Sequence, residues 1–160
     1  VTVLPPCINA SAWDNRMEWL DRAGAVPELA LRLGFRQIRG IHEEEARWIT
    51  GARGNGYQAV QDVWRRAGVG PATLTRLAEA DVFAALGLSL RDALWQAEAI
   101  AGGSPLPLFA TDLEGEGIVE PAVQFREMTV GEAVVEDYVS MRLTLRAHPM
   151  ALLRPVLDAA

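Results

Sequence analysis

Lysine is missing from this sequence, and all 15 basic residues are arginine. That bias fits a GC-rich genome more than a mechanism, although arginine does offer planar, bidentate donors to phosphate oxygens. Cysteine is nearly missing as well. A lone Cys7 excludes an internal disulfide and fits a reducing cytoplasm. The two histidines, His42 and His148, stand at no metal-ligand spacing from Cys7 or from each other, so a zinc site is not expected. No apolar run reaches the ~18 residues of a membrane span, and no charged-then-apolar leader opens the chain. The glycine-rich stretch 51–56, GARGNG, is followed by no Lys-Ser/Thr and preceded by no strand. It reads as a loop between helices and not a nucleotide cradle. No nucleophile, base or metal constellation is visible, so no catalytic residue is expected here.

Half of the 160 residues are hydrophobic, enough to build a core. The length suits one domain or part of a larger chain. Position 1 is Val and the last helix-like run ends without a closing motif, so both ends are expected to be cuts. The net charge of −6 argues against indiscriminate nucleic-acid binding, but the charge is unevenly placed. Residues 31–76 carry eight arginines against four acids, whereas residues 77–140 carry two against twelve. Only the basic block is expected to face an anion.

The chain opens with a strand-like Val1–Leu4 broken by Pro5-Pro6, and Leu29–Leu33 alternates as a second strand. A helical pattern then takes over. Glu43–Arg53 begins with three glutamates that favour a helix N-terminus and turns Ala46 and Ile49 inward. Gln58–Ala67 carries Val60, Val63, Trp64 and Ala67 on one stripe. Pro71 opens a helix with Leu74, Leu77 and Ala78 inside. Ser89 with Asp92, and Thr129 with Glu132, have the spacing of capping boxes. The latter opens a helix expected to bury Val130, Val134, Tyr138 and Met141, and a short helix follows Pro149. Between the two boxes, residues 102–129 are rich in Pro, Gly and acids and read as an extended linker. Trp48 and Trp95 fall beside the buried stripes of their helices, the two places where an indole could stack on a base. The fold class expected is mainly α, with a short β or irregular N-terminal segment and a linker leading to C-terminal helices.

Two glycine turns, 28 residues apart, lie in the only basic block: Gly40-Ile41-His42 and Gly68-Val69-Gly70. Glycine lets a backbone turn sharply and approach a ligand closely. The following helix then aims unpaired amides and its positive dipole end outward, where a phosphate can sit. Ile41 or Val69 would plug the turn into the core, and the contact would read the DNA backbone and not its sequence. Arg65, Arg66 and Arg76 flank the second turn, and no acid occurs between Trp64 and Glu79. The first has Arg39 beside it but runs at once into Glu43-Glu44-Glu45, so the second is expected to hold phosphate better. A glycine turn can also do no more than join two packed helices.

The runs LRLGFRQIRGIHEEEARWI, DVWRRAGVGPATLTRLAEADVFAALGLSLRDALWQA, PLPLF and VVEDYVSMRLTLRAHPMALLRP resemble, in this order, the error-prone bacterial C-family DNA polymerases, relatives of the polymerase III alpha subunit. AEADVFAALGLSLRDALW and LTLRAHPMALLRP are the most specific parts, and VTVLPPCINASAWDN is similar to the segment closing the fingers domain. The resemblance implies that residues 1–35 end the fingers and that residues 36–101 form a tandem helix-hairpin-helix domain holding duplex DNA. Residues 102–129 would be a linker, and residues 130–160 would lead toward an oligonucleotide-binding fold beyond this sequence. It also implies a parent enzyme that copies damaged templates with Mg2+, its palm aspartates lying upstream and no cofactor being held here.

In the replicative relatives a clamp-binding peptide occupies the place of residues 104–109. Leu106, Leu108 and Phe109 are the residues that would fill the clamp's groove, although the usual glutamine is missing. The alternative reading is accordingly a protein-interaction segment that docks the sliding clamp or an accessory translesion polymerase, the hairpins serving as scaffold.

Overall fold

In the computed structural model, residues 2–20, 28–102 and 126–158 are described. Three short strands form one sheet: β1 (Thr2–Leu4), β2 (Arg16–Leu20) and β3 (Glu28–Arg32), in the order β1-β3-β2. β1 runs parallel to β3 with Val3 opposite Leu31, and β2 runs antiparallel with Met17 opposite Leu31. β2 was not anticipated. Met17 and Trp19 are exposed and none of its residues is fully buried, so the strand has no buried face to announce it.

A 3-10 turn at Phe35–Gln37 leads into α1 (Glu43–Ala52), α2 (Val60–Ala67), α3 (Pro71–Glu79) and α4 (Leu90–Gly102). Their inner faces share one core. Ile38, Ile41, Ile49, Tyr57, Val60, Val63, Val69, Leu74, Leu77 and Phe83 are all buried in it. The N-terminal segment is stitched to the same core: Ile8 is fully buried, and its amide donates to Val82 O (3.1 Å). Asn9 exchanges two hydrogen bonds with the Tyr57 backbone, at 2.7 and 3.0 Å. Arg53 donates from Nε to Ile8 O at 3.0 Å and from a terminal nitrogen to Ser11 O, and burial of its guanidinium lowers its pKa. The hydroxyl of buried Tyr57 donates to Ile49 O at 2.7 Å, and desolvation raises its pKa above the ordinary value.

Both anticipated capping boxes are present. Ser89 Oγ donates to Asp92 Oδ2 at 2.6 Å, and the Thr129 amide donates to Glu132 Oε2 at 2.8 Å. The second opens α5 (Val130–Met141), which is followed by α6 (Pro149–Leu157). The inward face of α5 differs from the expected one. Val130 (56% exposed) and Tyr138 (41%) point outward, whereas Ala133, Val134, Asp137, Ser140 and Met141 are buried. The reason is polar anchoring. Asp137 Oδ2 accepts from Thr144 Oγ1 (2.7 Å) and Arg146 Nε (3.2 Å), and Arg146 also pairs with Asp81 at 2.6 Å. The Ser140 carbonyl accepts the Arg39 amide at 2.9 Å. Most of the expected linker, including Leu106, Leu108 and Phe109, lies outside the described residues.

Candidate nucleic-acid interface

Hairpin 2 is built by α2, the turn Gly68-Val69-Gly70 and α3. Gly68 closes α2 at φ 67°, in the left-handed region that favours glycine, and its amide donates to Trp64 O at 3.0 Å. Val69 is 1% exposed and plugs the turn into the core, a burial worth roughly 1.5–3 kcal/mol. Gly70 is the N-cap of α3 at φ −70° and ψ 159°, a conformation any residue adopts. The bend of this turn therefore needs a glycine at position 68 and not at position 70. A Cβ at Gly68 or Gly70 would meet no atom within 4 Å, so the turn opens to solvent.

The amide bookkeeping at this corner decides what it can hold. Thr73 and Leu74 amides both donate to Gly70 O, at 3.0 and 3.2 Å, and Pro71 has no N–H. The amides of Gly70 and Ala72 have no hydrogen-bond partner among the described residues, and both residues are exposed. Two free donors at the positive end of a helix whose own first turn has no acidic residue suit an anion, with Glu45 of α1 the one carboxylate hydrogen-bonded to that turn, through the Thr73 hydroxyl.

Hairpin 1 has the same bend but a different filling. Gly40 sits at φ 76°, and Ile41 is 6% exposed and plugs the core. The counterpart of Gly70 is His42, the N-cap of α1, in the same extended conformation (φ −99°, ψ 151°). The His42 amide is taken by Glu45 Oε2 at 2.8 Å, and Glu45 Oε1 accepts the hydroxyl of buried Thr73 on α3. Arg76 crosses from α3 to donate to Gly40 O at 2.9 Å, and a Cβ at Gly40 would fall 2.8 Å from its Nε. Arg39 is held by α5 through its amide and by Nη1 to Val139 O at 3.2 Å. The N-cap amide of hairpin 1 is therefore taken by the protein's own carboxylate, while the Glu43 and Glu44 amides, like that of Ala72, have no hydrogen-bond partner among the described residues.

The arginines of the basic block fall into three sets. Arg32, Arg36 and Arg47 are paired with Glu18, Asp14 and Glu43. Arg39, Arg53, Arg66 and Arg76 donate to carbonyls and keep their charge unneutralised. Arg66 bonds Ala52, Arg53 and Gly56 carbonyls at 2.7–2.8 Å and lies 4.8 Å from the Tyr57 ring centroid, so it caps the end of α1. Arg65 is exposed and has neither hydrogen bond nor ion pair among the described residues. Sequence reasoning anticipated both turns but not the Glu45 carboxylate on the His42 amide. Its partner Thr73 is 28 residues away, and only the fold brings the two together. Among the described residues no three of His, Cys, Asp or Glu converge on a point that could hold a metal ion. None of the described helices is long and apolar enough to cross a membrane.

Two glycine-bent corners, each plugged by one aliphatic residue and each opening a helix, define a tandem helix-hairpin-helix unit. The chain belongs to the helix-hairpin-helix motif family, whose model matches residues 1–93. Over 157 residues, 98% of its length, it is 62% identical to the error-prone DNA polymerase of Ruegeria pomeroyi. It is 45% identical over 161 residues to error-prone DNA polymerase 3 of Agrobacterium fabrum, and 46% to error-prone DNA polymerase 2 of Rhizobium meliloti. The chain spans about 14% of the length of these curated relatives. The resemblance to error-prone bacterial DNA polymerases thus extends over nearly the whole sequence.

Proposed function

We propose that this chain binds the backbone of duplex DNA without sequence preference, as the DNA-holding part of an error-prone polymerase that copies damaged templates. Residues 36–101 form the gripping unit in this reading, and hairpin 2 makes the principal contact. The observation that carries it is the pair of unpartnered, solvent-facing amides of Gly70 and Ala72 at the N-terminus of α3. Arg65 stands free on the preceding helix, whereas Arg76, in the last turn of α3, is turned to the Gly40 carbonyl of hairpin 1. Amides and guanidinium groups recognise phosphate oxygens and carry no base information. Hairpin 1, with Gly40, Ile41, His42 and Arg39, serves as the support that orients hairpin 2. Nucleotidyl transfer belongs, in this reading, to other parts of the parent polymerase.

The test is duplex binding followed by fluorescence anisotropy over a salt series. Neutralising a few phosphates gives a log–log slope of about −0.9 per phosphate. A chain that fails to bind duplex at low salt overturns the proposal.

A further inference from the structure

We infer that Glu45 is a built-in anion that takes the phosphate's place at hairpin 1, leaving the tandem unit with one working phosphate grip. The inference rests on the proposed DNA contact and says which half of the unit makes it. The two corners are close counterparts: a left-handed glycine (Gly40, Gly68), a buried plug (Ile41, Val69) and an extended N-cap (His42, Gly70). They differ in what meets the N-cap amide. At hairpin 2 the Gly70 amide is bare, whereas at hairpin 1 a carboxylate oxygen lies 2.8 Å from the His42 nitrogen.

That carboxylate is anchored. Its second oxygen accepts the hydroxyl of Thr73, which is 3% exposed on α3, so Glu45 is tied to the neighbouring hairpin and is not a loose surface acid. An anion already seated on the amide and the dipole of α1 removes the attraction for a second one and adds repulsion. Glu44, exposed beside it, adds to that repulsion, while Glu43 is offset by Arg47 at 2.6 Å. His42 in place of a second glycine adds a side chain where hairpin 2 has open space. Glu45 is in this sense a specificity-determining residue: it sets how many phosphates the unit meets.

The experiment follows backbone amide resonances of the whole 160-residue chain during titration with inorganic phosphate, then with a duplex over a salt series. The wild type and the variants Glu45→Ala and Glu45→Gln are compared. In the wild type, phosphate is expected to shift Gly70 and Ala72 and to leave Gly40, His42 and Glu43 unmoved. In Glu45→Ala the hairpin 1 amides are expected to become phosphate-sensitive. Duplex affinity at low salt should rise about two- to fivefold, as expected for relieving one anion at a helix end. The salt slope should steepen by about 0.9, one more phosphate. Glu45→Gln, which keeps the shape and one acceptor, decides the matter if Glu45→Ala does not fold, with the same change expected in smaller measure. Hairpin 1 amides that ignore phosphate in both folded variants, with the slope unchanged, overturn the inference while leaving hairpin 2 intact. Wild-type amides at Gly70 and Ala72 that ignore phosphate overturn the proposed DNA contact without touching the hairpin 1 readout.

Discussion

Replacing Gly70 with Asp separates binding from stability in a way few substitutions do. Gly70 already has an extended backbone that any residue adopts, and a Cβ there meets nothing within 4 Å. Asp is also among the better N-cap residues, so α3 should be unharmed or gain a few tenths of a kcal/mol. The new carboxylate would stand beside the free Gly70 and Ala72 amides, where a phosphate is proposed to lie. Two unit charges about 5 Å apart repel by roughly 1–3 kcal/mol for effective dielectric constants between bulk water and a protein surface. That range corresponds to a loss of about 5- to 150-fold in duplex affinity. One lost phosphate should also flatten the salt slope by about 0.9. Gly40→Asp provides the contrast. Gly40 has φ 76° and a Cβ there crowds the Arg76 guanidinium, so stability should fall by about 1–2 kcal/mol while affinity per folded molecule changes little. The assay is anisotropy with a labelled duplex, paired with thermal melts. Equal affinity for Gly70→Asp and wild type, or a larger binding loss for Gly40→Asp at matched folded fraction, would refute the reasoning.

Three further expectations follow from the same geometry. Arg65→Ala removes a free exposed charge, so the salt slope should lose up to about one phosphate's worth while the melting temperature stays put. Arg146→Ala leaves buried Asp137 and part-buried Asp81 without their cation; the loss should be about 1–3 kcal/mol in urea unfolding, discounted because Arg146 is 39% exposed. The Glu132 carboxyl is held below its ordinary 4.5, chiefly by the Thr129 amide. A depressed carboxyl contributes stability that is present above the unfolded value and lost as pH falls through the folded one. Protection of the first-turn amides of α5 should therefore drop below about pH 4.5, and Glu132→Gln should abolish that dependence.

Much of this molecule could be read locally, and what could not be read is instructive. The helices α1 to α4 came through because periodic apolar residues, a proline at N1 and capping residues all act within one or two turns. β2 did not, since an edge strand with Met17 and Trp19 facing solvent has no buried partner to set its pattern. The face of α5 was misjudged because hydrophobicity favoured Val130 and Tyr138, whereas the actual anchor is a buried aspartate answering Thr144 and Arg146. At the candidate interface, the two turns were legible as local motifs. The roles of Arg66, Arg76 and Glu45 were not, since each acts on carbonyls, amides or hydroxyls brought near only by tertiary packing. Charge counting overstated the free charge of the basic block, because three of its arginines are held in internal ion pairs.

The most direct measurement is the map of amide resonance changes as a short duplex is added to the chain. The Gly70 and Ala72 amides should move first and furthest, together with Gly68, and two unrelated duplex sequences should give the same map. Changes confined to α5 and α6, with hairpin 2 silent, would contradict the account.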